Sequence, residues 1–152
     1  MGRKRAQAGK YIHFFIACLT LFILLSCNAL KEAKKEEMRL NATSEHLKLS
    51  KELIEQGNFD ASVKENQKVL SLSPDSPPAD EALFNMGLIY AHSKNPKKDY
   101  KKSISFFEKL LKEYPKSPFV FHAKIWIGVL QTIEASKQVD IKLEEMKKEM
   151  SK

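Results

Sequence analysis

The chain has 152 residues, with 26 lysines and arginines against 19 aspartates and glutamates, a formal net charge of +7, and 43% apolar residues. That length suits a targeting segment and one modest domain with a single core, not two domains. Arg3, Lys4, Arg5 and Lys10 precede the first apolar run and no acid does, so the rest of the chain carries 22 basic residues against 19 acidic, a net +3. This balance argues against nucleic acid as a partner, because nucleic-acid binding depends on a clustered basic face.

From Tyr11 to Leu25 the sequence is apolar and free of charge apart from a proton on His13, and it turns polar directly after Cys27. Tyr11 to Ser26 is 16 residues, short of the roughly 20 that a spanning helix needs. A basic head, a short apolar run and a polar switch make the layout of a cleaved secretory signal. The run closes on Leu24-Leu25-Ser26-Cys27, which resembles the lipobox of bacterial lipoproteins. The resemblance implies cleavage between Ser26 and Cys27 and a diacylglyceryl thioether on Cys27. A thiol is the nucleophile that takes the lipid, and a small residue at Ser26 lets the signal peptidase reach the bond. The rival is Cys18, where cleavage would leave an apolar mature N-terminus; the bland alternative is that Cys27 is a small hydrophobe within the signal. With Cys27 acylated, no free thiol or disulfide remains, and the fold must hold by core packing. Two or more acyl chains hold a protein on a membrane, at ~0.8 kcal/mol per buried CH2. Asn28 follows the cysteine; by resemblance to enterobacterial sorting, in which aspartate at that place retains lipoproteins in the inner membrane, the chain is expected at the outer membrane, facing the periplasm.

Residues 27–42, the lipidated N-terminus and a charged tether, contain too few large apolar groups to fold alone. Behind them the chain repeats at an offset of 41 residues: Leu70 pairs with Leu111, Pro74 with Pro115, Ser76-Pro77 with Ser117-Pro118, Ala82 with Ala123, and Met86-Gly87 with Ile127-Gly128. Ser76 and Ser117 are placed to cap two equivalent helices, with a proline after each. Leu83, Met86 and Tyr90 share one helical face, and Ile104, Phe107, Leu111 and Tyr114 another, widened by Phe106 and Leu110. Asn95-Pro96 marks the turn between them, and Pro115 ends the second. Each unit is a helical hairpin.

Leu83-x-x-Met86-Gly87-x-x-Tyr90, then Ser103-x-x-x-Phe107, then Pro115 resembles the tetratricopeptide repeat. An earlier unit fits through Leu49, Leu53, Gly57-Asn58-Phe59, Ser62 and Pro74, with His46 in place of the large residue, Ser50 in place of glycine and Asn66 in place of the aromatic. A third first-arm follows in Ala123 to Leu130, with Lys124 where a large group is usual. The resemblance covers about residues 44 to 131. It implies an all-α fold of tetratricopeptide-like hairpins, about two and a half repeats over 43–135, followed by a C-terminal helix at 136–152. Gly87 and Gly128 are expected to let a neighbouring helix approach closely, against a cost of ~1 kcal/mol in a helix interior. The expected repeat core is Leu83, Met86, Gly87, Tyr90, Phe107, Leu111 and Gly128. The lengthened units resemble those of BamD-like and related cell-envelope lipoproteins. Val139, Leu143, Met146 and Met150 fit either a helix capping the last hairpin or a short coiled-coil seam for a partner or a second copy.

No catalytic constellation stands out. His46, His92 and His122 are scattered without the spacing of a helical zinc site, and there is no phosphate loop or nucleophile elbow. Glu36-Glu37 and Glu144-Glu145 lie among lysines as a solvated face. No metal or cofactor is expected. Lys94, Lys97, Lys98, Lys101 and Lys102 crowd the lengthened loop around Tyr100, either as ordinary surface or as a contact for an acidic partner or anionic headgroup. Tyr90 and Trp126 are candidates to line a groove or to fill the core. These features favour a lipid-anchored module that binds protein partners of the cell envelope, serving outer-membrane assembly or an envelope sensor kinase. The alternative is a structural envelope protein that self-associates weakly through its C-terminal helix.

Overall fold

The computed structural model describes residues 30–151, so the expectations for the signal, Ser26 and Cys27 lie outside the described residues. The chain divides into two units between Asn41 and Ala42. In the first, residues 30–41 are helical and almost wholly exposed, with Arg39 clasping both carboxylate oxygens of Glu36.

The second unit is built from five helices: α1 (residues 42–55), α2 (Phe59–Leu72), α3 (Ala79–Ala91), α4 (Tyr100–Glu113) and α5 (Val120–Met150). It is an all-α helical repeat, with no strand among the described residues. α1 turns Thr43, Leu47 and Ser50 inward at spacings of four and three. It stops at Gly57, whose φ of 77° suits a residue without a Cβ. The N–H groups of Gly57 and Asn58 return to the carbonyls of Ile54 and Leu53 at 2.9 and 2.8 Å, satisfying the end of the helix. α2 follows at once and packs on α3, α3 on α4, and α4 on α5. Of the 13 residues of α3, eight are buried, which makes it the central element, hydrophobic nearly all round.

The two hairpins share one hydrogen bond. Ser103 donates its hydroxyl to the Gly87 carbonyl at 2.6 Å, and Ser62 donates to the Ser50 carbonyl at 2.9 Å. Beside that bond the chemistry differs. In the second hairpin the fully buried Phe107 ring lies on Gly87 so closely that a Cβ there would stand 2.5 Å from it. In the first, Asn66 stands where Phe107 does and Ser50 where Gly87 does, and the Asn66 amide reaches Ser50 Oγ at 2.5 Å and the Ser62 carbonyl at 2.9 Å. Buried polar groups are tolerated when paired in this way. Two apolar clusters result, Leu47, Val69 and Ala82 in one and Leu83, Phe107, Leu110, Ala123 and Leu130 in the other, with Leu70 packed against both.

Three sequence expectations differ from the structure. Ser76 and Ser117 do not cap helices with their side chains: α3 and α5 begin after Pro78 and Phe119, and each serine closes the preceding turn through its carbonyl. Ser117 instead donates to the buried Asp80 carboxylate at 2.6 Å and accepts from the Phe119 N–H. α4 does have a side-chain cap: Asp99 accepts from the Lys102 N–H at 2.9 Å. Gly128 is exposed, with no other group within 4 Å of a Cβ built there. The cause is α5 itself, a continuous helix of 31 residues with no break at 135/136. It does not turn back to lay a second arm over that glycine. Val139, Leu143, Met146 and Met150 are exposed and cap no hairpin among the described residues.

Candidate functional site

Residues from the first arms of successive hairpins meet at an open groove of about 430 Å3, lined by Ile54 of α1, Leu88, Ile89 and Ala91 of α3, His92, and Trp126 of α5. The lining is almost entirely apolar because α3 exposes its C-terminal turn here and α5 contributes an indole that is 37% exposed. Apolar surface of this kind, open to water and shaped by rigid helices, gains free energy when an apolar side chain enters it. His92 is held at one edge by its ring contact with Phe59, centroids 4.9 Å apart.

Tyr90 is not part of the groove. It stacks on Phe106 at 5.6 Å, facing α4, with Lys102 Nζ 4.2 Å above its ring. Of the other residues expected in the core, Leu83, Met86, Gly87 and Phe107 are buried, Leu111 and Tyr90 half-buried, and Gly128 exposed.

The lysine loop starts at the rim of the groove, after His92 and Ser93. It is fixed from within by Asn95, which donates to the Ile89 carbonyl at 2.8 Å and accepts from the Lys97 N–H at 2.9 Å. The sequence marks Asn95-Pro96 as a turn without revealing this buried clamp; an asparagine two residues ahead of the amide it bonds is the signal that points to it. Lys97 reaches Asp60 at 2.6 Å, and that carboxylate raises the lysine's pKa. Lys98 leans toward Tyr100, its Nζ 5.5 Å from the ring centroid. All five lysine side chains are exposed. No group of three or more metal-ligating side chains occurs among the described residues.

A third feature joins α1 to α2. Glu65, almost buried, receives Lys68 at 2.7 Å and His46 at 2.6 Å. The bond from Lys68, then that from His46, holds its carboxyl below the usual glutamate range against the opposing effect of burial. This is a structural clasp, away from the groove residues.

The bond from Ser103 to the Gly87 carbonyl and the ring resting on Gly87 lie within a segment that is similar to a known repeat. Residues 81–117 match a tetratricopeptide repeat family model. No curated protein and no solved structure matches the chain. The matched segment takes in most of α3, the lysine loop and α4, so the family likeness rests on the second hairpin. A tetratricopeptide repeat points to a protein–protein interaction module, and the family is typically a non-enzymatic scaffold.

Proposed function

We propose that this protein is a lipid-anchored protein-interaction module of the bacterial cell envelope, held on the outer membrane by an acylated Cys27 and facing the periplasm. Its partner is a protein of outer-membrane assembly or an envelope sensor kinase. The observation that carries the binding role is the apolar groove shared by α1, α3 and α5, with Trp126 on one wall and the lysine loop beginning beside it after Ser93. The anchoring rests on the sequence around Ser26 and Cys27.

Two measurements test the two halves separately. Labelling cells with an alkyne fatty acid should mark the wild-type chain and not Cys27→Ala; equal labelling of both removes the anchor. Cross-linking in cells through a photoreactive residue at Leu88 or Ala91, both half-buried at the groove, should capture a partner protein. Trp126→Ala should reduce that capture while leaving the helical circular dichroism signal intact. Capture that Trp126→Ala leaves unchanged removes the groove from the reading.

A further inference from the structure

The outward face of α5 has a pattern that its own domain does not use. Ile125, Val129, Thr132, Ser136, Val139, Leu143, Met146 and Met150 recur at alternating spacings of four and three along the 31-residue helix. This is the period of a coiled-coil seam. All eight side chains are exposed, including Val129 at 46% and Leu143 at 45%. The residues by which α5 packs on its own domain, Ala123, Ile127 and Leu130, with Lys137 over the Tyr100 ring, lie on the opposite face.

We propose that this face pairs antiparallel with α5 of a second copy of the chain. The proposal is independent of the anchor and shares only the Trp126 edge with the groove. In the register that overlaps residues 125–150 fully, every layer sets a larger side chain against a smaller or β-branched one. Met150 of the second copy meets Ile125, Met146 meets Val129, Leu143 meets Thr132, and Val139 meets Ser136. The flanking positions carry no like charges in this register: Trp126 faces Lys147, Ile133 faces Asp140, Ala135 faces Lys142, and Gly128 faces Glu149. A parallel, in-register pair does worse on both counts. It stacks Ser136 on Ser136 and Thr132 on Thr132, and it sets Lys142 of each copy beside Lys147 of the other, so like charges repel.

The open space over Gly128 points to the same occupant. Gly87, its counterpart in the second hairpin, is covered by Phe107 from a returning arm that runs antiparallel to α3. α5 continues instead of returning. Gly128 flanks the seam, so the second copy's α5, running antiparallel along it, meets no Cβ there and can approach closely.

The test uses the full chain in detergent, with Cys18 and Cys27 changed to serine. Two singly substituted, differently tagged versions are prepared, Val129→Cys and Met146→Cys. Within one helix these positions are roughly 25 Å apart at 1.5 Å per residue, so a disulfide between them must join two chains. Under mild oxidation the mixture should give the mixed cross-linked dimer, and neither version alone should cross-link appreciably. Adding Leu143→Glu, at an exposed position that leaves the fold intact, should reduce the mixed product about tenfold by placing a charge in the seam. Dimers from either version alone would show parallel pairing and overturn the proposal. No cross-link in any combination, or a mixed product indifferent to Leu143→Glu, would overturn it as well.

Discussion

At Gly87 and Gly128 the same residue type, at equivalent places in two repeats, is held by opposite circumstances. A Cβ at Gly87 runs into a Phe107 ring that is fully buried and has nowhere to move, whereas one at Gly128 meets open space. Gly87→Ala should therefore lower stability by ~1 to 3 kcal/mol through overpacking, outweighing the helix propensity of alanine. Gly128→Ala should raise it by ~0.5 to 1 kcal/mol. Urea denaturation of the two variants checks both signs. The first hairpin makes the reciprocal point: Asn66→Phe alone should be strongly destabilising, and adding Ser50→Gly should recover part of the loss. A double-mutant cycle should give a coupling of ~0.5 to 3 kcal/mol; additive losses would show that the Ser–Asn pair is not the counterpart of Gly–Phe. The large-Gly pattern made Gly87 legible from sequence. Gly128 has the same local letters, but what covers a glycine belongs to another element. Ser50 and Asn66, each read singly, look like departures from the repeat; only together do they restore it.

Helix existence was legible through apolar spacing and through Asn95-Pro96 and Pro115, because these act within a few residues of chain. Helix starts were less so. Ser76 and Ser117 have the right identity for caps, yet α3 and α5 start three residues after them, and Ser117 serves the buried Asp80 37 residues away. The α1–α2 clasp was likewise hidden, since His46 and Glu65 are 19 residues apart. Its consequence is a pH dependence. The Glu65 carboxyl is held below its ordinary value of 4.5, so its contribution is fully present above that pH and is lost as pH falls through the lower folded-state value. Thermal melts should show wild type losing stability on acidification below about pH 4.5 more steeply than Glu65→Gln. Parallel curves would mean that the clasp does not couple to folding.

At the scale of the whole molecule, an apolar groove with a basic loop beginning beside it suggests a division of labour in binding. Charges at a rim mainly hasten encounter, and salt screens them over about 10 Å at 0.1 M. Changing Lys97, Lys98, Lys101 and Lys102 to serine should slow association with a captured partner and flatten its salt dependence. The melting temperature should fall little, because the Lys97–Asp60 pair is exposed and the Lys102–Tyr90 contact is worth ~0.5 to 1 kcal/mol. An unchanged on-rate would leave the loop as plain surface. Stability itself is unevenly distributed over the molecule. α5 is one unbroken helix, yet its last buried residue is Leu130, and every side chain from Ala135 to Met150 is exposed in the isolated chain. Backbone amides near Ala123 and Leu130 can exchange with solvent deuterium only when the packed body opens. Those beyond Gln138 need only local fraying, because a free helical segment this short is marginal in water. A single helix should therefore show two exchange regimes with no interruption in its hydrogen-bond ladder, slow before Glu134 and fast after Gln138, and the fast half should slow with protein concentration to the extent that two copies meet along it.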